Sequence, residues 1–286
     1  GMCSACAACG VGWWSEMSMT AQPTRRVPLP FPIAFRASGA LVERNFAAAR
    51  SYWRTFVSGF FEPVFYLFAM GVGIGALVGD IQVDGRAIPY AIFVAPAMMA
   101  TSAMNGAIYD STANVFGKLK NSKLYESVLA TPLQPAEVAA GEIAWALLRG
   151  LVYSCAFLLV AAVAGFVQSW WALLAIPVCT LIGLAFASLG MAATTFMRTW
   201  NDMDYVQLLI LPMFLFSATF YPLDAYPPVL QGVVQATPLY HGVALVRALM
   251  MGELGWGLLL HVGYLLALSA FGLWATTRRI TRLLMT

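Results

Sequence analysis

Long apolar runs, each closed by charge or proline, set the rhythm of this chain. A membrane-crossing helix needs roughly 20 apolar residues. Runs of about that length predict six spans, at 56–78, 88–109, 143–166, 171–196, 205–221 and 256–276. Ahead of the first, Phe46, Ala49, Trp53, Phe56 and Phe60 recur at helical spacing, with Glu43, Ala47, Arg50 and Arg54 opposite. A basic face against an aromatic face predicts a helix lying in the membrane interface. Between spans two and three the apolar pattern stops. Lys118, Lys120 and Lys123 are followed by Thr131-Pro132 and Gln134-Pro135, with Glu137 just behind. Proline in a first turn with an acid after it is a helix-start signal. Residues 111–129 read as a short amphipathic helix with Lys118 and Lys123 exposed. By periodicity alone that is an ordinary loop element. Between 222 and 255 two apolar stretches, 227–236 and 239–251, are split at Thr237-Pro238. They are too short to cross and too apolar for open water, which predicts a re-entrant pair shielded by protein.

Composition agrees with the pattern. Of 286 residues, 60% are hydrophobic and only 10% charged, whereas soluble domains carry about 25% charged residues. Lipid is therefore a partner of the whole surface, and the spans leave no room for a nucleotide-binding module. The charges also fix an orientation, because cytoplasmic loops retain Lys and Arg. Arg25, Arg26, Arg36, Arg44, Arg50, Arg54, Lys118, Lys120, Lys123, Arg198, Arg278, Arg279 and Arg282 fall in one set of loops and ends. Asp80, Asp84, Asp224 and Glu253, with Arg86 and Arg247, fall in the other. Both termini are expected in the cytoplasm, in a multi-pass protein of the inner or plasma membrane. The net charge of +3 follows the span ends, with no aromatic-interleaved basic patch, so nucleic acid is not an expected partner.

Residues 1–37 are mixed and then proline-rich, without the apolar core of a signal peptide, and read as a flexible cytosolic tail before a membrane domain at 38–286. Cys3, Cys6 and Cys9 form a C-x-x-C-x-x-C string. It lacks a fourth ligand at suitable spacing, so no metal is expected. Cys155 and Cys179 read as small apolar fillers.

Within the spans a few residues stand out. Gly71, Gly75 and Gly79 repeat every four positions, a ridge that lets helices approach and a candidate dimer interface. Ionisable groups inside lipid are costly and face protein or water. Glu62 is therefore a candidate for the lining of a substrate pathway. So is the stripe Met98, Thr101, Asn105 and Tyr109, which reads equally as interhelical hydrogen bonding. Arg149 sits on the face of Glu142 and is expected to pair with it or with Glu62, with a substrate headgroup as the sharper reading. Arg247 is expected to pair with Asp224 or Glu253. His241 reads as a satisfied interfacial histidine, or as a proton-sensitive group. Neither H-E-x-x-H, G-x-S-x-G nor a Walker A run occurs, so no catalytic residue is expected. A membrane-embedded transferase working through Asp80, Asp84 or Asp224 stays as an alternative. So does an ATP-independent secondary transporter, although the last three spans do not repeat the first three as such proteins do.

Three stretches carry a family likeness: FEPVFYLFAMGVGIG at 61–75, YESVLATPLQPAEVAAGEIAWALLRG at 125–150, and LPMFLFSATFYPLDAYPPVLQGVVQATPLYHGVALVRALMMG at 211–252. Over residues 40–284 or so the chain resembles the permease subunit of a type-2 ABC exporter, in the branch of nodulation lipo-oligosaccharide and daunorubicin-type exporters. The likeness implies an all-α integral membrane fold: an interfacial elbow helix, six transmembrane helices, a cytosolic coupling helix between spans two and three, and an outer re-entrant helical hairpin. It implies export of an amphipathic substrate driven by a cytosolic ABC ATPase, two copies per complex, that holds the ATP and Mg. The permease itself binds no cofactor and pairs with a second copy or a related permease. Phe116, Lys118, Leu119, Lys123, Leu124, Tyr125 and Glu126 are the implied ATPase-coupling residues.

Overall fold

A computed structural model describes the protein at residues 31–49, 61, 63–83, 86–120 and 135–285. The chain order is α1 (Phe31–Ala49), α2 (Pro63–Val78), β1 (Asp80–Val83), β2 (Arg86–Pro89), α3 (Tyr90–Lys120), α4 (Pro135–Val163), α5 (Ala175–Thr194), α6 (Met203–Leu215), α7 (Pro228–Ala236), α8 (Pro238–Met251) and α9 (Leu258–Met285). Among the described residues the fold is helical apart from one antiparallel hairpin, in which Asp80 faces Pro89 and Val83 faces Arg86. No strand was expected there. The sequence does hold a signal for one, an Asp84-Gly85 dipeptide between alternating residues.

Among the described residues, four helices are long and apolar enough to cross a membrane: Tyr90–Lys120, Glu137–Val163, Trp170–Thr194 and Leu258–Ile280. The third and fourth expected spans lie within a few residues of their helices. The fifth does not, because α6 stops at Leu215 after 13 residues, six short of the expected end. Ser217, Ala218, Thr219 and Phe220 then run buried without helical structure, and Ala218 takes a positive φ of 52°. Non-helical backbone at membrane depth is tolerated where protein encloses it. The first span is helical over Pro63–Val78, with a π-helical section at Ala69–Ile74; positions 56–60 and Glu62 lie outside the described residues. α1 begins at Phe31, inside the stretch expected as tail.

α3 is the hub. It packs against α4, α5 and α8, while α5 also packs against α9 and α1 lies along α4. Most of its side chains are buried, from Phe93 to Phe116, as befits a helix apolar on all sides. Lipid is as apolar as leucine, so close packing rather than water exclusion holds such helices together, and small residues mark each crossing. A Cβ on Gly106 would stand 3.3 Å from the Tyr153 ring. One on Gly242 would meet Ile182 at 2.8 Å, and one on Gly272 would lie 2.8 Å from Ser188 Cβ. Gly190 faces Ser111 and Thr112 just as tightly.

The expected glycine ridge of α2 is used differently at each position. A Cβ on Gly71 would lie 3.2 Å from Ala91 of α3, so that glycine serves packing within the chain. Gly75 has only Tyr90 near it, at 3.8 Å. Gly79 is a helix end rather than part of a ridge: its φ of +70° closes α2 before β1.

The helical hairpin appears as expected. Pro228 and Pro238 open α7 and α8 at first-turn positions. Gly252, at φ +79°, ends α8 as a left-handed cap. Beside it, Trp170 and Trp256 are each 88% exposed, as in the aromatic belts of membrane interfaces. Lys118, Lys120, Arg198, Arg278 and Arg279 gather at the opposite, basic end.

Candidate functional site

At the basic end, α3 passes through a π-helical turn at Asp110–Asn114 and continues as α-helix to Lys120. The described part of the expected coupling segment is thus an extension of span two, not a separate helix. Residues 121–134, with Lys123, Leu124, Tyr125 and Glu126, lie outside the described residues.

The extension is tied to every neighbour. Glu142, on α4 and almost wholly buried, accepts a hydrogen bond from Lys118 Nζ at 2.6 Å and one from Arg44 Nη2 of α1 at 3.2 Å. Asn45 of α1 completes the knot. Its Nδ2 donates to Glu142 at 2.9 Å, and its Oδ1 accepts from Lys118 at 3.0 Å and Arg44 at 3.1 Å. Lys118 is therefore largely buried and ion-paired, not exposed as expected.

Arg149 pairs with Asp110 rather than with Glu142, and Glu62 lies outside the described residues. Arg149 Nη1 donates to Asp110 Oδ1 at 2.7 Å and its Nε to the Tyr153 hydroxyl at 3.0 Å. The guanidinium lies over the rings of Tyr109 and Tyr153, at 5.4 and 5.3 Å. Glu142 belongs to Lys118 and Arg44. Asp110 was missed because a residue placed at the end of a span reads as a loop charge; once the helix continues, it becomes an interior one. An interior carboxylate needs a cation, and that requirement is the signal that finds Arg149.

Two further contacts lock the turn from the other side. Thr194 Oγ1 of α5 donates to the Ser111 carbonyl at 2.9 Å, and also to Gly190 O at 2.9 Å. Phe116 meets Trp200 edge to face at 5.0 Å. Trp200 is held by a capped turn, in which Asp202 accepts from the Arg198 and Thr199 amides at 2.6 and 3.1 Å. Those amides hold the Asp202 carboxyl below the usual carboxylate range. Leu119 packs on the core from the same segment.

Of the pathway candidates, Met98 and Thr101 are buried in the helix interior, and Asn105 is half-buried one turn from Thr101. Thr101 Oγ1 donates to Ala97 O of its own helix at 2.8 Å, not across to another. At the opposite end Arg247 meets neither expected acid. Its Nη2 donates to the Ala218 carbonyl at 2.8 Å and its guanidinium lies 3.9 Å from the centre of the Phe93 ring. Glu253 pairs with Arg86 instead, at 2.9 Å.

The basic end of α3 is thereby tied to α1, α4 and α5 through charge pairs and close contacts. Among the described residues no group of three or more His, Cys, Asp or Glu is placed to hold a metal.

Residues 36–251 match the family model of the ABC-2 type transporter. This chain belongs to that family. It is 34% identical over 229 residues to Nodulation protein J of Rhizobium leguminosarum bv. viciae, covering 79% of this chain and 86% of that protein. To Nodulation protein J of Sinorhizobium fredii it is 38% identical over 205 residues, 71% and 77% of the two chains. A more distant relative is the inner membrane transport permease YadH of Escherichia coli, 25% identical over 206 residues, 70% and 78% of the two chains. The chain is accordingly the multi-pass membrane subunit of an ABC exporter, on the nodulation branch of the family, and its family implies an ABC ATPase as partner.

Proposed function

We propose that this permease carries an amphipathic molecule out of the cell, powered by a separate cytosolic ATPase that grips the basic end of α3. The observation that supports this reading is the unbroken helix from Tyr90 to Lys120 with its base knotted by Lys118, Glu142 and Arg44. A docking segment that follows directly on such a rod delivers its stroke to the bundle. In this reading the basic end and both termini face the cytoplasm, in agreement with the concentration of Lys and Arg there. The helical hairpin and its tryptophans face outward from an inner or plasma membrane.

The motor is present in two copies, each with ATP and Mg, and engages the segment of Phe116, Lys118, Leu119, Lys123, Leu124, Tyr125 and Glu126, meeting Phe116 and Lys118 only if their contacts with Trp200 and Glu142 open. The permease binds no cofactor and hydrolyses nothing. Two permeases, alike or related, pair through α2 and α6, whose apolar faces are broadly uncovered in one chain: Phe65, Leu77, Leu208 and Leu209 are all exposed. The cargo passes Glu62, Met98, Thr101, Asn105 and Arg149, and reaches the buried Met98 and Thr101 only if the helices around α3 part. Because Asp110 already occupies Arg149, the arginine meets cargo only if that pair opens. The relatives' name points to nodulation, and a lipo-oligosaccharide suits the amphipathic class.

The test is direct. The Leu119→Asp/Leu124→Asp variant should insert in the membrane yet lose its ATPase during co-purification. Normal co-purification and export by that variant would refute the coupling assignment. Gly75→Leu is expected to lower dimer yield on cross-linking in detergent, and an unchanged yield removes α2 from the interface. Purified permease alone in vesicles should move no cargo, whereas a secondary transporter would.

A further inference from the structure

The chain has two histidines, one on α8 and one on α9, and the fold places them ring to ring. His241 Nδ1 and His261 Nδ1 are 2.6 Å apart, with ring centroids separated by 4.9 Å. Two ring nitrogens that close need a hydrogen between them. Two lone pairs would repel, and two N–H groups would collide. Tyr264 of α9 stacks on His241 at 3.9 Å, and its hydroxyl donates to the Ala236 carbonyl at the end of α7 at 2.9 Å. Tyr240 of α8 stands edge-on to both imidazoles. These contacts form the seam between the helical hairpin and the last span.

The surroundings decide how the pair takes up protons. Either Nδ1 can carry the shared hydrogen, according to the tautomers of the two rings. The titratable groups facing the pair are Tyr240 of α8 and Tyr264 of α9. Asp224 and Arg247 act on Tyr240 rather than on either imidazole. Burial and the neighbouring imidazole hold His241 below the ordinary histidine value. Both rings are half-buried.

We propose that His241 and His261 form a proton-operated latch that fastens the α7–α8 hairpin to α9 and releases it in acid. The first added proton converts the pair to an imidazolium donating to an imidazole, and the bridge survives. The second leaves hydrogen on both Nδ1 atoms and positive charge on both rings, so the bridge is lost and the rings part. The permease would then sense acidity at its hairpin face. The latch involves only this chain, so its test is separate from that of ATPase docking.

The experiment is hydrogen exchange of the full chain in lipid nanodiscs at pH 7.5 and 5.0, corrected for the intrinsic exchange rate. In the native protein, protection across 228–251 should fall about tenfold or more at pH 5.0, while α4 and α5 keep theirs. His241→Gln and His261→Gln, which hydrogen-bond but do not titrate in this range, should each abolish the pH response. Unchanged native protection between the two pH values overturns the proposal, and so does an equal fall in both variants. If neither variant folds, ¹⁵N-histidine NMR of the native protein decides. A bridging proton signal at pH 7.5 that vanishes at pH 5.0 supports the latch. Two imidazoles titrating independently at ordinary values refute it.

Discussion

The two ends of the bundle are fastened by opposite chemistry. At the basic end, charge meets charge in the interior: Arg149 with Asp110, and Lys118 and Arg44 with Glu142. At the hairpin end, a half-buried arginine meets a neutral carbonyl and a ring face, and two imidazoles and two tyrosines close the seam. A charge pair in a low-dielectric interior is costly to break from one side, because the survivor keeps its charge. A bond from a cation to a carbonyl leaves only a neutral acceptor behind. Deleting the cation should therefore cost more at the basic end than at the hairpin end.

That contrast breaks most readily at Arg149. Arg149→Ala strands the Asp110 carboxylate and should cost about 3–5 kcal/mol, read as an early thermal transition of the purified permease. Removing both charges, as Arg149→Leu/Asp110→Leu, should recover most of the loss, because apolar replacement of a buried pair is often neutral or better. Arg247→Leu at the other end strands only the Ala218 carbonyl. It should cost about 1–3 kcal/mol, and a loss as large as that of Arg149→Ala would erase the distinction between the ends. Thr194→Val sharpens the picture within the basic end. It deletes one hydroxyl bond to the π-helical turn, for about 0.5–1.5 kcal/mol, and should weaken ATPase stimulation by cargo more than it lowers the unfolding temperature.

The smallest effect belongs to Asp202. Its carboxyl is held below the usual range by the Arg198 and Thr199 amides. A depressed carboxyl contributes stability above its unfolded-state value and loses it as pH falls through its folded-state value. Asp202→Asn should therefore destabilise the Trp200 turn slightly at neutral pH and converge with the native protein in strong acid. Tryptophan fluorescence against pH checks the sign.

Much of the architecture was legible because membrane helices announce themselves by apolar length and by proline and glycine at their ends. Thr237-Pro238 and Gly252 mark real boundaries. Length alone misled at α6, where the apolar run continues through Phe220 but the helix stops at Leu215. Apolar character does not distinguish lipid-facing helix from enclosed irregular chain. The partners of the charges were legible only in part. Sequence spacing placed Arg149 and Glu142 on one face of α4, yet each reaches across to another helix, to Asp110 and to Lys118 and Arg44. Pairings between helices depend on where helices cross, which side-chain size at glycines such as Gly106 and Gly190 determines and periodicity does not. The two histidines, 20 residues apart on separate elements, meet for the same reason.

The shortness of α6 has a consequence for the solvent as well as for the protein. Thirteen helical residues rise about 20 Å, against a hydrocarbon layer of about 30 Å. Lipids adapt to a short segment by thinning beside it, so in a permease not yet paired through α6 this flank should carry a pinched collar of membrane. Acyl-chain length then becomes a physical setting of the transporter: vesicles of short-chain lipid relieve the strain around α6, and long-chain lipid adds to it.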